Sequence, residues 1–165
     1  MAVLAFKIHG NQTEPSACLK AIHEDLQALV PNNHISACVL FVDTNTREIQ
    51  YSIAGHPPLI RMEKDSDPKF MEGMGTLIVS YLKPSLKNFT LTPNPGDRIL
   101  LYSDGILEVF DDAGEIYGDE HLLSSVKIHS DKKGEEFLNA LYEDSMSFSA
   151  KRISDDMSML LLEIL

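Results

Sequence analysis

Pro95-Gly-Asp-Arg-Ile-Leu-Leu-Tyr-Ser-Asp-Gly-Ile-Leu-Glu108 is the stretch on which the fold turns. It opens inside Pro93-Asn-Pro-Gly-Asp97, where prolines and a glycine supply turn chemistry. Residues 98–103 follow as the most apolar candidate strand of the chain, and a short helix is predicted near Gly105. A buried strand that stops on Asp104 holds a carboxylate on a rigid element, as a ligand or catalytic group requires. Asp-Gly is also among the commonest turn dipeptides, so Asp104-Gly105 reads by itself as a turn as well as a site.

Working outward, residues 14–30 carry apolar side chains at Cys18, Leu19, Ile22, Leu26, Leu29 and Val30, one stripe of an amphipathic helix. Thr13 is the expected N-cap, Pro15 lies in the first turn, and Pro31 closes the helix. Residues 1–9 are also predicted helical. Past Asn33 the period changes: residues 37–42 are β-branched and apolar, residues 43–47 form a turn, and Ile49, Tyr51 and Ile53 alternate with polar residues. This predicts a hairpin, followed by a third strand at 59–63 that would extend the antiparallel sheet. Further strands are predicted at 76–82, 88–92 and 157–165, and helices at 119–126 and 134–147. Strands first, helices late and a returning last strand describe an α+β domain, largely antiparallel, in one unit of 165 residues.

The chain carries 25 Asp and Glu against 14 Lys and Arg, a net charge of −11. That excess repels nucleic acid and anionic membrane surfaces, so neither is an expected partner. Cys18 and Cys38 lack the spacing that zinc requires and read as small buried hydrophobes. The apolar start at residues 1–6 is too short for a signal sequence or a membrane span, and a cytoplasmic location is expected. No nucleophile elbow, P-loop or dinucleotide-binding glycine pattern is present.

Two acidic clusters fall at strand ends: Asp104, and Asp155-Asp156 before the last strand. If the two strands are neighbours, their carboxylates converge into the oxygen-rich setting that Mg²⁺ or Mn²⁺ prefers. Asp155-Asp156 reads also as an ordinary solvated loop. Asp111-Asp112 ahead of Gly114 is a plain turn. His56, in Ala-Gly-His-Pro-Pro, is a candidate proton donor or ligand, or a side chain bonded to its own turn. His23 and His34 are expected to be exposed, and His9, His121 and His129 show no spacing to acids that suggests a site.

In order along the chain, Ile53-Ala-Gly-His-Pro-Pro-Leu-Ile60, Pro95 to Glu108 as quoted, Asp112-Ala-Gly-Glu-Ile-Tyr-Gly118 and Asp155-Asp-Met-Ser-Met-Leu-Leu-Leu162 resemble the SpoIIE and RsbU phosphatases, the bacterial branch of the PPM (type 2C) family. The resemblance implies a β-sandwich flanked by helices in α-β-β-α layers. It also implies removal of phosphate from serine or threonine of a STAS-type anti-sigma-factor antagonist in stress or regulatory signalling. Two Mn²⁺ or Mg²⁺ ions and their waters would carry the chemistry, without a phosphoenzyme. Asp104 matches the metal-binding Asp of the family's Asp-Gly pair, with the Gly105 backbone beside the metal. Asp155 matches the first metal-binding acid of the C-terminal motif, Asp156 follows it, and His56 borders the site.

The chain also departs from the family pattern. The opening Gly-Gly-Asp-x-x-Asp strand and Gly-Asp-x-Ser-Gly-x-Gly turn are absent, and Met1–His9 resembles the interior of the helix that follows them. A Gly-x-Pro-Leu-Gly stretch is reduced to Gly75-Thr-Leu-Ile-Val79. The expectation is therefore a partial domain with little activity of its own, or an inactive phosphatase-like scaffold that binds a partner protein. Missing strands should leave open sheet edges, which predicts a homodimer or other self-association.

Overall fold

The computed structural model of the chain describes residues 14–29, 34–149 and 155–165, with side chains throughout except at 26–29. These residues form two compact units. One runs up to Pro58 and takes in Glu72–Pro93; the other consists of Leu59–Met71 and Asn94–Leu165.

In the first unit, helix α1 (Pro15–Leu29) lies against β2 (Ala37–Val42), β3 (Ile49–Ala54) and β6 (Ile78–Val79). Its stripe buries Cys18, Leu19 and Ile22 against Val39, Ala54 and Ile78, the leucine, isoleucine and valine side chains each contributing about 1.5–3 kcal/mol when fully removed from water. The predicted Thr13 cap and the helix at residues 1–9 lie outside the described residues. Among the described residues, the first turn is held from 72 residues away, where Asn88 Oδ1 accepts the Ser16 amide at 2.8 Å and Asn88 Nδ2 donates to Glu14. His23, expected to be exposed, is buried, its Nε2 3.0 Å from the Val79 carbonyl. A partner on β6 lets a polar ring lie on the apolar side of the helix. His34 is exposed as expected.

β2 and β3 form the predicted hairpin, in register from Ala37 opposite Ala54 to Val42 opposite Ile49. Asp43 closes it by accepting the amides of Asn45 and Thr46. β7 (Phe89–Leu91) adds to the far side of β3. The strand expected at 76–82 is reduced to β6, paired with β1 (His34–Ile35). On either side of β6 the segment is loop, with Thr76 bonded to Ser85 and Tyr81 exposed. Cys18 is buried and Cys38 partly so, and burial pushes the Cys38 thiol up to about 12, which keeps it protonated.

The second unit is a four-stranded antiparallel sheet in the order β5 (Lys69–Phe70), β4 (Ile60–Met62), β8 (Arg98–Tyr102), β9 (Met159–Glu163). The third strand predicted from sequence thus does not extend the β2–β3 hairpin. It pairs with β8, Ile60 opposite Leu100, because Pro57 and Pro58 cannot donate to a ladder and end the first sheet before β4 begins. Helices α2 (Gly118–Ile128) and α3 (Gly134–Phe148) pack together, and α3 also lies on β9. Leu122, Val126, Phe137 and Leu141 close a core over Ile60, Leu100 and Tyr102. Between the helices Asp144 Oδ2 accepts Ser125 Oγ at 2.6 Å and lies 2.9 Å from His129 Nε2. His129 therefore has an acidic partner that its spacing did not reveal. No helix among the described residues is long and apolar enough to cross a membrane. The α+β class with antiparallel sheets is as the sequence predicts.

Candidate functional site

β8 and β9 are neighbours, Tyr102 opposite Met159, so the conditional step in the sequence argument is met. Tyr102 leads through Ser103 into a 3-10 turn, Asp104–Ile106, and Met159 is preceded by the 155–158 loop. Ser103 ties the two together. Its amide donates to Ser158 O at 2.9 Å, its hydroxyl donates to Asp156 O at 3.1 Å, and the Ser158 amide donates back to that hydroxyl at 2.9 Å.

Gly105 allows the approach. A Cβ built there would overlap the Asp156 carbonyl oxygen and lie 3.0 Å from its carbon and 3.4 Å from the carbonyl carbon of Asp155. The glycine is thus required by contact, with its own backbone unstrained. The turn continues as Leu107 and Glu108 donate their amides to Asp104 O at 2.8 and 2.9 Å. Asp104, Asp155 and Asp156 all belong to exposed residues. One oxygen of Asp155 accepts the Asp156 amide at 2.7 Å, which turns that side chain back over its own loop.

The donor chemistry suits a hard divalent cation: exposed carboxylates on two backbone segments that the Ser103 hydrogen bonds hold together. The number of donors is smaller than such a site needs, since no group of three or more His, Cys, Asp or Glu that could hold a metal ion occurs among the described residues.

His56 lies in the first unit. Its Nδ1 is 2.8 Å from the Pro57 carbonyl, the arrangement of a ring bonded to its own turn. Gly55 before it sits at φ +64 and donates its amide to Gly75 O at 2.9 Å, a left-handed position that favours glycine. Asp111 makes the expected turn, its Oδ1 accepting the amides of Ala113 and Glu115.

Two features went unread in the sequence. Ser103 gave no signal beyond standing next to Asp104. Asp97 read as a turn residue but is almost fully buried, 2.7 Å from Arg61 Nη2 and accepting the amides of Asn94 and Lys64. Burial alone would raise its carboxyl pKa; the Arg61 guanidinium and the two amides outweigh that and hold it below the ordinary 3.8. Asp97 stands before β8 and Asp104 after it, so this ion pair anchors the strand at the end away from the candidate site. A groove of about 840 Å³ opens beside Asp97, lined by Met62, Asp65, Arg98, Val126 and Ile164 among others, and neither Asp104 nor Asp155 lines it.

A family model described as Stage II sporulation protein E (SpoIIE) matches residues 3–165. Among solved structures, the SiaA PP2C domain of Pseudomonas aeruginosa superposes with a TM-score of 0.83 at 17% identity, over 98% of this chain and 65% of that one. A Mycobacterium tuberculosis protein, solved as its RsbU and RsbW domains, gives 0.73 at 21%, over 97% and 44%. The phosphatase domain of the cell fate determinant SpoIIE from Bacillus subtilis, presoaked with Mn, gives 0.69 at 17%, over 99% and 72%. The present chain thus spans less than two thirds of the first two. At these identities the superpositions establish the fold, an α+β arrangement matching PP2C phosphatase domains.

Proposed function

The chain belongs to the SpoIIE family, and on that premise we propose that it is a PPM-type phosphatase unit acting on phosphoserine or phosphothreonine of a regulatory protein. The observation that carries this reading is the junction of the Asp104 turn with the 155–158 loop through Ser103 and Gly105. In this reading Asp104 and Asp155 are metal ligands, Asp156 lies beside them, and the Gly105 backbone borders the ion. His56, in the first unit, is bonded to its own turn and is given no role in the chemistry. A divalent ion, Mn²⁺ or Mg²⁺, would supply charge neutralisation for the phosphoryl group and a water of lowered pKa.

The chain's own part is to fix the carboxylates. β8 and β9 hold the two segments by their ladder, Ser103 locks the loop, and Gly105 removes the methyl group that would separate them. The net reaction consumes one water and yields free serine and inorganic phosphate. The substrate of this reading is a STAS-type anti-sigma-factor antagonist, and the setting is sporulation or stress signalling.

One observation favours a second reading, a scaffold that binds a phosphorylated partner without turnover: the described acids fall short of three convergent ligands. Incubating the chain with a phosphoserine peptide and Mn²⁺ separates the two. Slow release of phosphate that is lost in Asp104→Asn supports the phosphatase. No release, with metal-independent capture of a phosphorylated antagonist, supports the scaffold.

A further inference from the structure

Beyond the Asp104 turn the chain folds into a small hairpin in which Phe110 stands opposite Ile116. The Asp111 amide donates to Glu115 O at 3.0 Å on one side of this pair, and the Tyr117 amide to Val109 O at 2.8 Å on the other. Phe110 and Ile116 are thus a non-hydrogen-bonded pair, the kind whose side chains lie closest together. Val109 and Tyr117 are buried in the core of the second unit. By strand alternation Phe110 and Ile116 share the outward face, each 48% exposed, as one apolar patch.

This patch lies close to Asp104. Glu108 donates its amide to Asp104 O, a helical turn that advances the chain about 6 Å over four residues, and two further residues add at most about 7 Å. The Phe110 Cα is therefore within about 13 Å of the Asp104 Cα. We propose that Phe110 and Ile116 form a docking subsite for the segment that carries the phosphoserine. An extended chain covers that distance in about four residues, so the subsite takes an apolar side chain about four positions from the phosphoserine. Such a subsite rests on the reading above, in which the phosphate sits at Asp104.

Charge specifies the rest of that segment. Between Arg98 and Lys127 the sequence holds seven Asp or Glu and neither Lys nor Arg. Glu108, Asp112 and Glu115 are exposed, each within two residues of Phe110 or Ile116, so the apolar patch is rimmed by carboxylates, the anatomy of a protein-binding surface. A phosphoserine brings about −1.5 to −2 charges of its own. The segment that carries it into this field must therefore be basic, with Lys or Arg beside the apolar side chain, and a segment acidic about its phosphoserine is repelled.

Fluorescence anisotropy of two labelled phosphoserine peptides, titrated with the whole chain in the presence of Mn²⁺, tests this. Both peptides carry Lys and Arg; one has leucine four positions from the phosphoserine on either side, and the other has serine there. The leucine peptide should bind at least about tenfold more tightly, about 1.4 kcal/mol, and its binding should weaken as salt is raised. Phe110→Ala and Ile116→Ala should each shrink that preference, and either suffices if the other fails to fold. Ile128→Ala, which truncates an exposed apolar side chain at the far end of α2, should keep it. Equal affinity for the two peptides, with binding still lost in Asp104→Asn, overturns the subsite and leaves the reading of the Asp104 site standing. A leucine preference that survives Phe110→Ala and Ile116→Ala also overturns it, since the leucine is then held elsewhere. Binding of neither peptide, or binding indifferent to Asp104→Asn, overturns the reading of the site and the subsite with it.

Discussion

Gly105→Ala should loosen the junction on which the candidate site rests. The added methyl carbon would overlap the Asp156 carbonyl oxygen and sit 3.0 Å from its carbon, and the neighbour is backbone, which cannot rotate aside. Relief can come in two ways. If the 155–158 loop stays in place, the overlap is spread as strain, which for an extra methyl group in a packed site costs about 1–3 kcal/mol. If the loop withdraws to ordinary van der Waals distance, the Ser103 hydroxyl loses Asp156 O at 3.1 Å and the Ser158 amide at 2.9 Å. Two such bonds at about 0.5–1.5 kcal/mol each again total about 1–3 kcal/mol. Both routes lead to the same loss, read as a fall in the urea midpoint at unchanged slope. Ser103→Ala, which removes the hydrogen bonds without adding volume, should cost a similar amount, and the double variant should cost less than the sum because the two changes act on one contact. A Gly105→Ala protein within about 0.5 kcal/mol of wild type, the range of ordinary surface changes, would refute the close approach.

Three further outcomes are expected. Asp97→Asn removes a buried carboxylate whose pKa is held below 3.8; a depressed pKa contributes stability above 3.8 that is lost as pH falls through the folded value, so the stability gap between wild type and variant should be full at neutral pH and close in acid. Denaturation midpoints taken across that range check it, and a gap independent of pH would contradict the ionised pair with Arg61. Tyr102→Phe deletes a buried hydroxyl that has no partner among the described residues, so the variant should match or slightly exceed wild type in thermal stability; a loss above about 2 kcal/mol would show that the hydroxyl is bonded after all. Asp144→Ala should destabilise by about 1–3 kcal/mol, because it leaves Ser125, which is buried, without its acceptor and unlinks α2 from α3; a urea midpoint equal to wild type would contradict that link.

Local pattern carried most of the secondary structure. The helical stripe of α1, the alternation in β3 and the apolar run of β8 each bury a face with a fixed period, and that period is written in consecutive residues. Partners distant in sequence were not legible. Asn88 caps α1 from 72 residues away, Val79 receives His23 from 56, and Asp97 meets Arg61 across 36, and nothing in the stretch around any of these residues names its partner. β4 was placed correctly in the chain and given the wrong neighbour for the same reason. The two-residue strands β1, β5 and β6 have no period to read. For the candidate site, sequence named Asp104 and Asp155 and made their convergence conditional on β8 and β9 pairing. The pairing is present, and the contacts of Ser103 and Gly105 with the Asp156 carbonyl, which tie the two backbone segments together, became visible only with the backbone in view.

In the proposed phosphatase reading, Asp104 and the 155–158 loop together hold a divalent metal ion. Titration of Mn²⁺ into the whole chain, followed by calorimetry for wild type and Asp104→Asn side by side, tests it most directly. Saturable binding should appear in wild type and weaken about tenfold or more in the variant, the scale on which even the partners behind a metal ligand change affinity, while the urea midpoint of the exposed Asp104 site stays put. Equal Mn²⁺ affinity in the two proteins, or no saturable binding in wild type, would contradict the account.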